Sequence, residues 1–197
     1  MSLSSLFFKY RGYTPIPFVI IMLIFANANI YSIAIGLAIA VVGELIRLWG
    51  VSWAGSETRT TDVGGTFLII SGPFAYVRNP LYVGNILMYT GLGIMSYALF
   101  PYLQIAGLVF FVTQYYFIVS KEEEYLRGQF GVPYAEYTKN VNRFFPKLSA
   151  FRSKESVKQP PFNLQAGLRS ERRTFQAFGF VALALIVEYI VFALNAK

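Results

Sequence analysis

Apolar residues in this chain come in long, nearly unbroken runs, not in the alternation of a half-buried strand or the one-sided spacing of a surface helix. Five runs stand out, at Tyr13–Asn27, Ile30–Val51, Leu81–Leu99, Tyr102–Val119 and Phe175–Leu194. A membrane-crossing helix needs about 20 largely apolar residues. The pattern therefore predicts an all-α, polytopic membrane protein with about five transmembrane helices. The first run is short, about 22 Å at 1.5 Å per residue. It joins the second through Ala26-Asn27-Ala28-Asn29, whose turn-forming residues predict a tight hairpin. The third and fourth runs meet at Phe100-Pro101 without a charged residue, which predicts a second hairpin. A cleaved signal peptide is the other reading of the first run, since Lys9 and Arg11 precede it and Ala26-Asn27-Ala28 resembles a cleavage site.

Composition agrees with lipid as the solvent: 55% of the 197 residues are apolar and 14% charged, where an ordinary soluble domain carries roughly 25% charged residues. The charge is lopsided, with 17 Lys and Arg against 10 Asp and Glu. Lys9 and Arg11 precede the first run, Arg59 and Arg78 lie between the second and third, and eleven more basic residues occupy 121–173. Arg47 lies inside a run, and Lys197 is the one basic residue left for the opposite face. Because Lys and Arg collect on the cytoplasmic side of short loops, the N-terminus is expected in the cytoplasm and the C-terminus outside. Residues 54–80 and 120–174 then share the cytoplasmic face of the cell membrane.

Lys147, Arg152, Lys154, Lys158, Arg169, Arg172 and Arg173 make 147–173 a basic juxtamembrane segment. Anionic headgroups attract such a segment by about 1 kcal/mol per basic residue. Nucleic acid is not the expected partner, because only Phe151 and Phe162 there offer a stacking face. The chain has no Cys and no His. That excludes disulfides, thiol nucleophiles, zinc and iron–sulfur sites built on those ligands, and an imidazole base, and no metal is expected.

Two polar clusters abut the cytoplasmic ends of runs. The first is Ser71-Gly72-Pro73-Phe74-Ala75-Tyr76-Val77-Arg78-Asn79-Pro80-Leu81-Tyr82-Val83-Gly84. Gly72-Pro73 reads as a turn, Pro80 suits the first turn of a helix, and Asn79 is a natural N-cap for it. The second begins Lys121-Glu122-Glu123-Glu124-Tyr125-Leu126 and continues to Tyr134 and Tyr137. Three carboxylates at the end of an apolar helix oppose both the helix dipole and the positive-inside pattern. With Phe74, Tyr76, Tyr82, Tyr125, Phe130, Tyr134 and Tyr137 around them, they suit a sulfonium or ammonium ligand, which aromatic faces attract by about 0.5–2 kcal/mol.

The ordered pattern Gly-Pro-Phe-x-Tyr-x-Arg-Asn-Pro-x-Tyr-x-Gly, a helical hairpin, Glu-Glu-x-x-Leu-x-x-x-Phe-Gly-x-x-Tyr-x-x-Tyr and Arg143-Phe144-Phe145-Pro146 resembles the isoprenylcysteine carboxyl methyltransferase family. It is also similar to the related phospholipid N-methyltransferases. The resemblance covers about residues 47–147. It implies S-adenosylmethionine as cofactor, held at the cytoplasmic face, and a lipid-like or prenylated methyl acceptor. It places Leu68, Ile69, Phe74, Asn79, Pro80, Leu81 and Tyr82 along the cofactor, with Glu122 in contact and Glu123 beside it. Arg78 falls near the acceptor, so Arg78 and Glu122 are the expected catalytic residues. Asn79 stands where the family string has His. The resemblance also divides the single domain into an N-terminal helical hairpin (1–53), a methyltransferase-like core (54–147), a basic linker (148–174) and a C-terminal helix (175–197).

Methyl transfer asks mainly for a nucleophile held in line with the donor. A carboxylate acceptor is already anionic at pH 7, whereas an ammonium must first lose a proton. A chain without His suits O-methylation of a carboxylate such as isoprenylcysteine, with N-methylation of a phospholipid or amine as the alternative. A nicotinamide-dependent reductase of the sterol-reductase type and a non-enzymatic scaffold are the remaining readings. Within the runs, Glu44 and Arg47 are three apart on one helix face and can neutralise each other. Glu188 is an intramembrane carboxylate without an evident partner. Gly91-Leu92-Gly93 fits close helix packing.

Overall fold

The computed structural model describes residues 3–55, 67–153 and 157–195; Arg59, Lys154, Glu155 and Lys197 of the charge pattern lie outside the described residues. Six α-helices follow in order: α1 (Leu3–Tyr10), α2 (Pro15–Ile24), α3 (Ile30–Ala54), α4 (Pro80–Ser96), α5 (Tyr102–Asn140) and α6 (Leu164–Asn195). A 3-10 turn, Gly72–Ala75, lies shortly before α4. Among the described residues there is no strand, so the all-α, multi-pass class holds. Three helices, α3, α5 and α6, are long and apolar enough to cross a membrane. The 17 residues of α4 and the 10 of α2 are shorter.

The centre of the bundle is the antiparallel pair α3 and α4. Gly36, Gly43 and Gly50 recur every seven residues on α3 and face Gly84 and Gly91 on α4. A Cβ on Gly43 would lie 2.6 Å from Gly84 O, and one on Gly91 would lie 2.5 Å from Ala40 N. Both contacts are to backbone, so the helices can approach this closely only without side chains at these positions. On the next face, a Cβ on Gly167 of α6 would lie 2.2 Å from Ser52 Oγ of α3.

At one end of the bundle the chain turns at 25–29 and 97–101. Asn29 caps α3, its Oδ1 accepting from Tyr31 N and Ser32 N at 3.0 Å. The turn is tight, as its sequence predicts, yet α2 does not pair mainly with α3. Phe18 packs on Phe110 and Phe111 of α5, and Met22 joins Leu92, Leu103 and Leu185. The glycine seam of α3 is already filled by α4, which leaves α2 to the other helices.

At the opposite end, α5 runs on past its apolar half. From Tyr102 to its break at Gly131 it runs for about 43 Å, well beyond a hydrocarbon core of about 30 Å. Glu122, Glu123 and Glu124 therefore lie in mid-helix, not against its terminal carbonyls, which removes the dipole objection. The helix breaks at Gly131 (φ 52°, ψ −120°), just before Pro133. Beyond the break, Tyr134, Tyr137 and Val141 bury Leu68 and Ile70.

The stretch 148–174 is not a free linker. Phe151 N bonds Ala75 O at 2.8 Å, Gln159 Nε2 bonds Leu68 O at 2.8 Å, and Asn163 N bonds Ser52 O at 2.8 Å. Asn163 Oδ1 then accepts from Ala166 N at 2.9 Å, which starts α6 at Leu164, well ahead of Phe175. Gly167, Glu171, Val181 and Leu185 form the buried stripe of this longer helix.

Candidate functional site

The loop that enters α4 is fixed from both sides. Gly72 has φ 59°, and a Cβ there would lie 2.2 Å from the Trp53 indole, so glycine is required by conformation and by space. Lys147 N bonds Tyr76 O at 2.9 Å and Arg78 N bonds Asn142 O at 2.9 Å, laying 142–151 along the loop. Tyr137 OH donates to Phe74 O at 2.7 Å. Asn79 takes the N-cap position of α4, but its side chain makes no cap bond. Its Nδ2 donates instead to Arg143 O at 3.1 Å. This corrects the capping role read from sequence: the amide faces a neighbouring carbonyl, not the helix's own N–H groups.

The two adjacent glutamates of α5 point to different partners. Glu123 is buried and meets two guanidiniums. Arg78 Nε donates to its Oε1 at 3.0 Å and Arg143 Nε to the same oxygen at 3.2 Å, while Arg143 also pairs with Oε2. The second terminal nitrogen of Arg78 lies 3.0 Å from Glu123 Oε1, and Nη1 donates to Thr138 O at 2.9 Å and Val141 O at 2.7 Å. Its fork is thus engaged by the protein. Arg143 is more open, with 27% of its side chain exposed. It lies 5.2 Å over the Tyr116 ring and donates to Ser120 Oγ at 3.3 Å. Burial alone would lower the Arg143 pKa, but Glu123 more than offsets it and holds the group above its ordinary value.

Glu122 accepts from Tyr82 OH at 2.6 Å, a short bond from α4 to α5. The Tyr82 ring stacks on Tyr115 at 4.7 Å between centroids. The structure thus brings Arg78, Asn79, Tyr82, Glu122 and Glu123 to one end of the bundle, with Phe74, Ile69 and Leu81 half-buried in the same loop and first turn. Leu68 and Pro80, both expected along the cofactor, are buried among protein side chains. Leu68 packs in the cluster of Ile70, Tyr134, Tyr137 and Val141.

A second polar cluster lies deeper. Arg47 of α3 donates from Nη2 to both carboxylate oxygens of Glu171, at 2.9 and 2.8 Å, and Nη1 reaches Asn85 Oδ1 of α4. Glu44 Oε2 is 3.5 Å from Arg47 Nε. The sequence offers Arg47 the neighbouring Glu44, with Glu188 as another candidate partner. Glu171, hidden among Arg169, Arg172 and Arg173, is the nearer partner. Its spacing of four residues from Gly167 on the buried stripe of α6 is the signal that points to it. Among the described residues no three acidic side chains converge as a metal-ion site.

A helical membrane bundle with a sequence-distant Arg–Glu–Arg tie and a Tyr–Glu pair at one end defines a polytopic membrane protein with a polar site at its rim. The chain belongs to the phospholipid methyltransferase family, whose profile matches residues 31–132. It is 29% identical over 154 residues to the cobalt-zinc-cadmium resistance protein CzcN of Cupriavidus metallidurans, covering 78% of this chain and 63% of that protein. It is 28% identical over 163 residues to the nickel-cobalt-cadmium resistance protein NccN of Alcaligenes xylosoxydans xylosoxydans, covering 83% of this chain and 68% of that one. The match thus spans about two thirds of the length of these curated relatives. No solved structure matches the chain.

Proposed function

We propose that the protein transfers a methyl group from S-adenosylmethionine to a membrane-embedded or lipid-borne acceptor at the end of the bundle that holds Glu122 and Tyr82. The observation that carries this reading is the pair of adjacent glutamates with separate duties. Glu123 locks Arg78 and Arg143 against the α4 entry loop, and Glu122 is left with Tyr82 beside aromatic rings. Those residues fit the donor. A carboxylate and tyrosine faces suit its positive charge, and the partly exposed Arg143 suits its carboxylate. When bound, the cofactor supplies an electrophilic methyl carried on a sulfonium.

In this reading Glu122 and Tyr82 hold the donor, Asn79 and Phe74 shape the loop beside it, and Leu81 and Ile69 exclude water. Arg78 was expected beside the acceptor. With its donors turned to Glu123, Thr138 and Val141, it is a positioning residue for the loop. A carboxylate acceptor would release no proton on methylation, so the chain would need no base for it. O-methylation of a carboxylate such as isoprenylcysteine is therefore the reading that a chain without His supports. The Tyr82–Glu122 bond supports a second reading, N-methylation of a phospholipid amine, in which Glu122 takes the proton the amine loses.

The bundle end that carries the site also gathers the basic residues, and Lys147, Arg152, Lys158, Arg169, Arg172 and Arg173 are all exposed there. This supports a cytoplasmic position for the site and contact of 147–173 with anionic lipid. Titration calorimetry on the detergent-solubilised protein tests the reading. Saturable binding of S-adenosylhomocysteine without NADPH binding is expected. NADPH binding alone would favour a reductase, and binding of neither would favour a scaffold.

A further inference from the structure

Residues 143–148 cross the site end of the bundle at the depth of its apolar helices. Arg143 lies 5.2 Å over the ring of Tyr116, and Phe144 packs with Phe111, Tyr115 and Ile118. All four of these α5 residues belong to the apolar run Tyr102–Val119. Further along, Lys147 N bonds Tyr76 O at 2.9 Å, and the Tyr76 ring lies 6.1 Å from Trp49, inside the apolar run of α3. The segment thus stretches from α5 to α3. Tyr116 and Trp49, at its two ends, are both exposed, as aromatic residues at a membrane–water boundary are.

Phe145 and Leu148 project from this segment with no protein over them. Phe145 is 80% exposed and Leu148 fully so. Their neighbours are fixed, Phe144 by its packing and Lys147 and Phe151 by backbone bonds to Tyr76 O and Ala75 O. Two large apolar side chains held outward on ordered backbone mark a surface that meets something apolar. The polar surroundings are basic. Between 131 and 153, Lys139, Arg143, Lys147 and Arg152 stand against one acidic residue, Glu136. Arg143 is engaged by Glu123, and Glu136 accepts from Ser153 Oγ at 3.5 Å. Lys147 Nζ donates to Asn140 O at 2.7 Å, which gathers Lys147 and Lys139 on one side of the segment. Lys139, Lys147 and Arg152 are exposed. Bare apolar side chains flanked by exposed cations complement a lipid boundary, acyl chains for the first and anionic headgroups for the second.

We propose that 143–148 is a membrane-seated wedge, with Phe145 and Leu148 in the acyl layer of the adjoining leaflet and Lys139, Lys147 and Arg152 on its anionic headgroups. This adds apolar insertion to the charge contact proposed for 147–173. It rests on the membrane setting of the functional reading but not on methyl transfer. The consequence falls on the loop that enters α4. Arg78 N bonds Asn142 O, and Lys147 N and Phe151 N bond Tyr76 O and Ala75 O. Lipid that seats the wedge therefore also holds this loop at the leaflet surface, where a lipid-borne molecule arrives.

The test uses the absence of Cys from the chain. Phe145→Cys and Leu148→Cys each give the full chain a unique thiol for an environment-sensitive fluorophore. Both side chains are exposed, so unfolding midpoints should stay near wild type. The labelled proteins are reconstituted into vesicles of equal parts phosphatidylcholine and phosphatidylglycerol. Doxyl-labelled lipid should quench both labels about threefold or more above aqueous acrylamide, most strongly from a shallow doxyl position, since interfacial side chains sit about 5–10 Å deep. Stronger quenching by acrylamide at both positions overturns the wedge. Shielding from both quenchers also overturns it, in favour of a second copy or another protein on this face. Lys147→Glu with Arg152→Glu should raise acrylamide quenching of both labels by about twofold or more, as acidic side chains repel the headgroups. Unchanged quenching overturns the headgroup contact. Binding of S-adenosylhomocysteine, measured on the same vesicles, reads the functional proposal separately: its absence with strong lipid quenching overturns methyl transfer and supports the wedge.

Discussion

Glu123 of α5 accepts hydrogen bonds from Arg78 and from Arg143, joining two segments that lie 65 residues apart in sequence. The carboxylate is shielded from water, so removing it leaves two guanidiniums facing each other without a counter-charge. Breaking a buried pair in this way costs about 3–5 kcal/mol. Glu123→Ala should therefore lower the thermal unfolding midpoint in detergent more than Glu124→Ala, whose side chain is exposed. Equal midpoints for the two variants would contradict the tie.

Tyr82→Phe removes one hydroxyl and keeps the ring stacked on Tyr115. The lost bond, 2.6 Å long and made to a carboxylate, has a worth of about 1.5–3 kcal/mol for a charged partner. The unfolding midpoint should therefore drop, since the bond joins α4 to α5 within the protein, and affinity for S-adenosylhomocysteine should fall as well, because Glu122 loses the group that orients it. A melting scan reads the first quantity and titration calorimetry the second.

Two neighbouring glycines of α4 should behave differently. A Cβ at Gly91 would meet the Ala40 backbone N at 2.5 Å, whereas one at Gly93 meets side chains alone, the tip of Met22 at 3.4 Å and Gln104 Cγ at 3.6 Å. Backbone cannot move aside as a methionine tip can. Gly91→Ala should cost about 3 kcal/mol or more through overpacking, and Gly93→Ala less than about 1 kcal/mol. Yield of folded protein and unfolding midpoint both report the difference.

The deeper cluster gives a graded result. Glu171→Ala leaves Arg47 without its bidentate partner, but Glu44 remains 3.5 Å away. The loss should sit at the lower end of about 3–5 kcal/mol. Arg47→Ala removes the cation that both buried carboxylates share and should cost more. Unfolding of the two variants at one pH and detergent decides the order.

Much of this architecture is legible in the chain, because lipid-facing helices announce themselves as long apolar runs. The two hairpin turns follow from Ala26-Asn27-Ala28-Asn29 and Phe100-Pro101, and the ordered site motif leads to the family. The interior pairings are less legible. Nothing local tells Glu122 from Glu123, since which of two adjacent carboxylates meets Arg78 depends on the helix face that α5 turns to the loop. Arg143 is visible only as part of a motif, and its partner lies 20 residues earlier in sequence. Glu171 is masked by three neighbouring arginines, although its spacing from Gly167 follows the buried stripe. Asn79 sits where a cap belongs and bonds elsewhere, because 142–151 folds back over the loop and offers it a carbonyl.

The most direct test is transfer of label from S-adenosylmethionine into the lipid phase of membranes carrying either the wild type or Glu122→Gln at matched expression. Wild type should label a lipid-extractable product, and Glu122→Gln should fall by about a hundredfold or more, the scale of a lost contact to a charged group in a water-poor site. Equal labelling by both would contradict the placement of the donor at Glu122, and no labelling above empty membranes by the wild type would contradict methyl transfer itself.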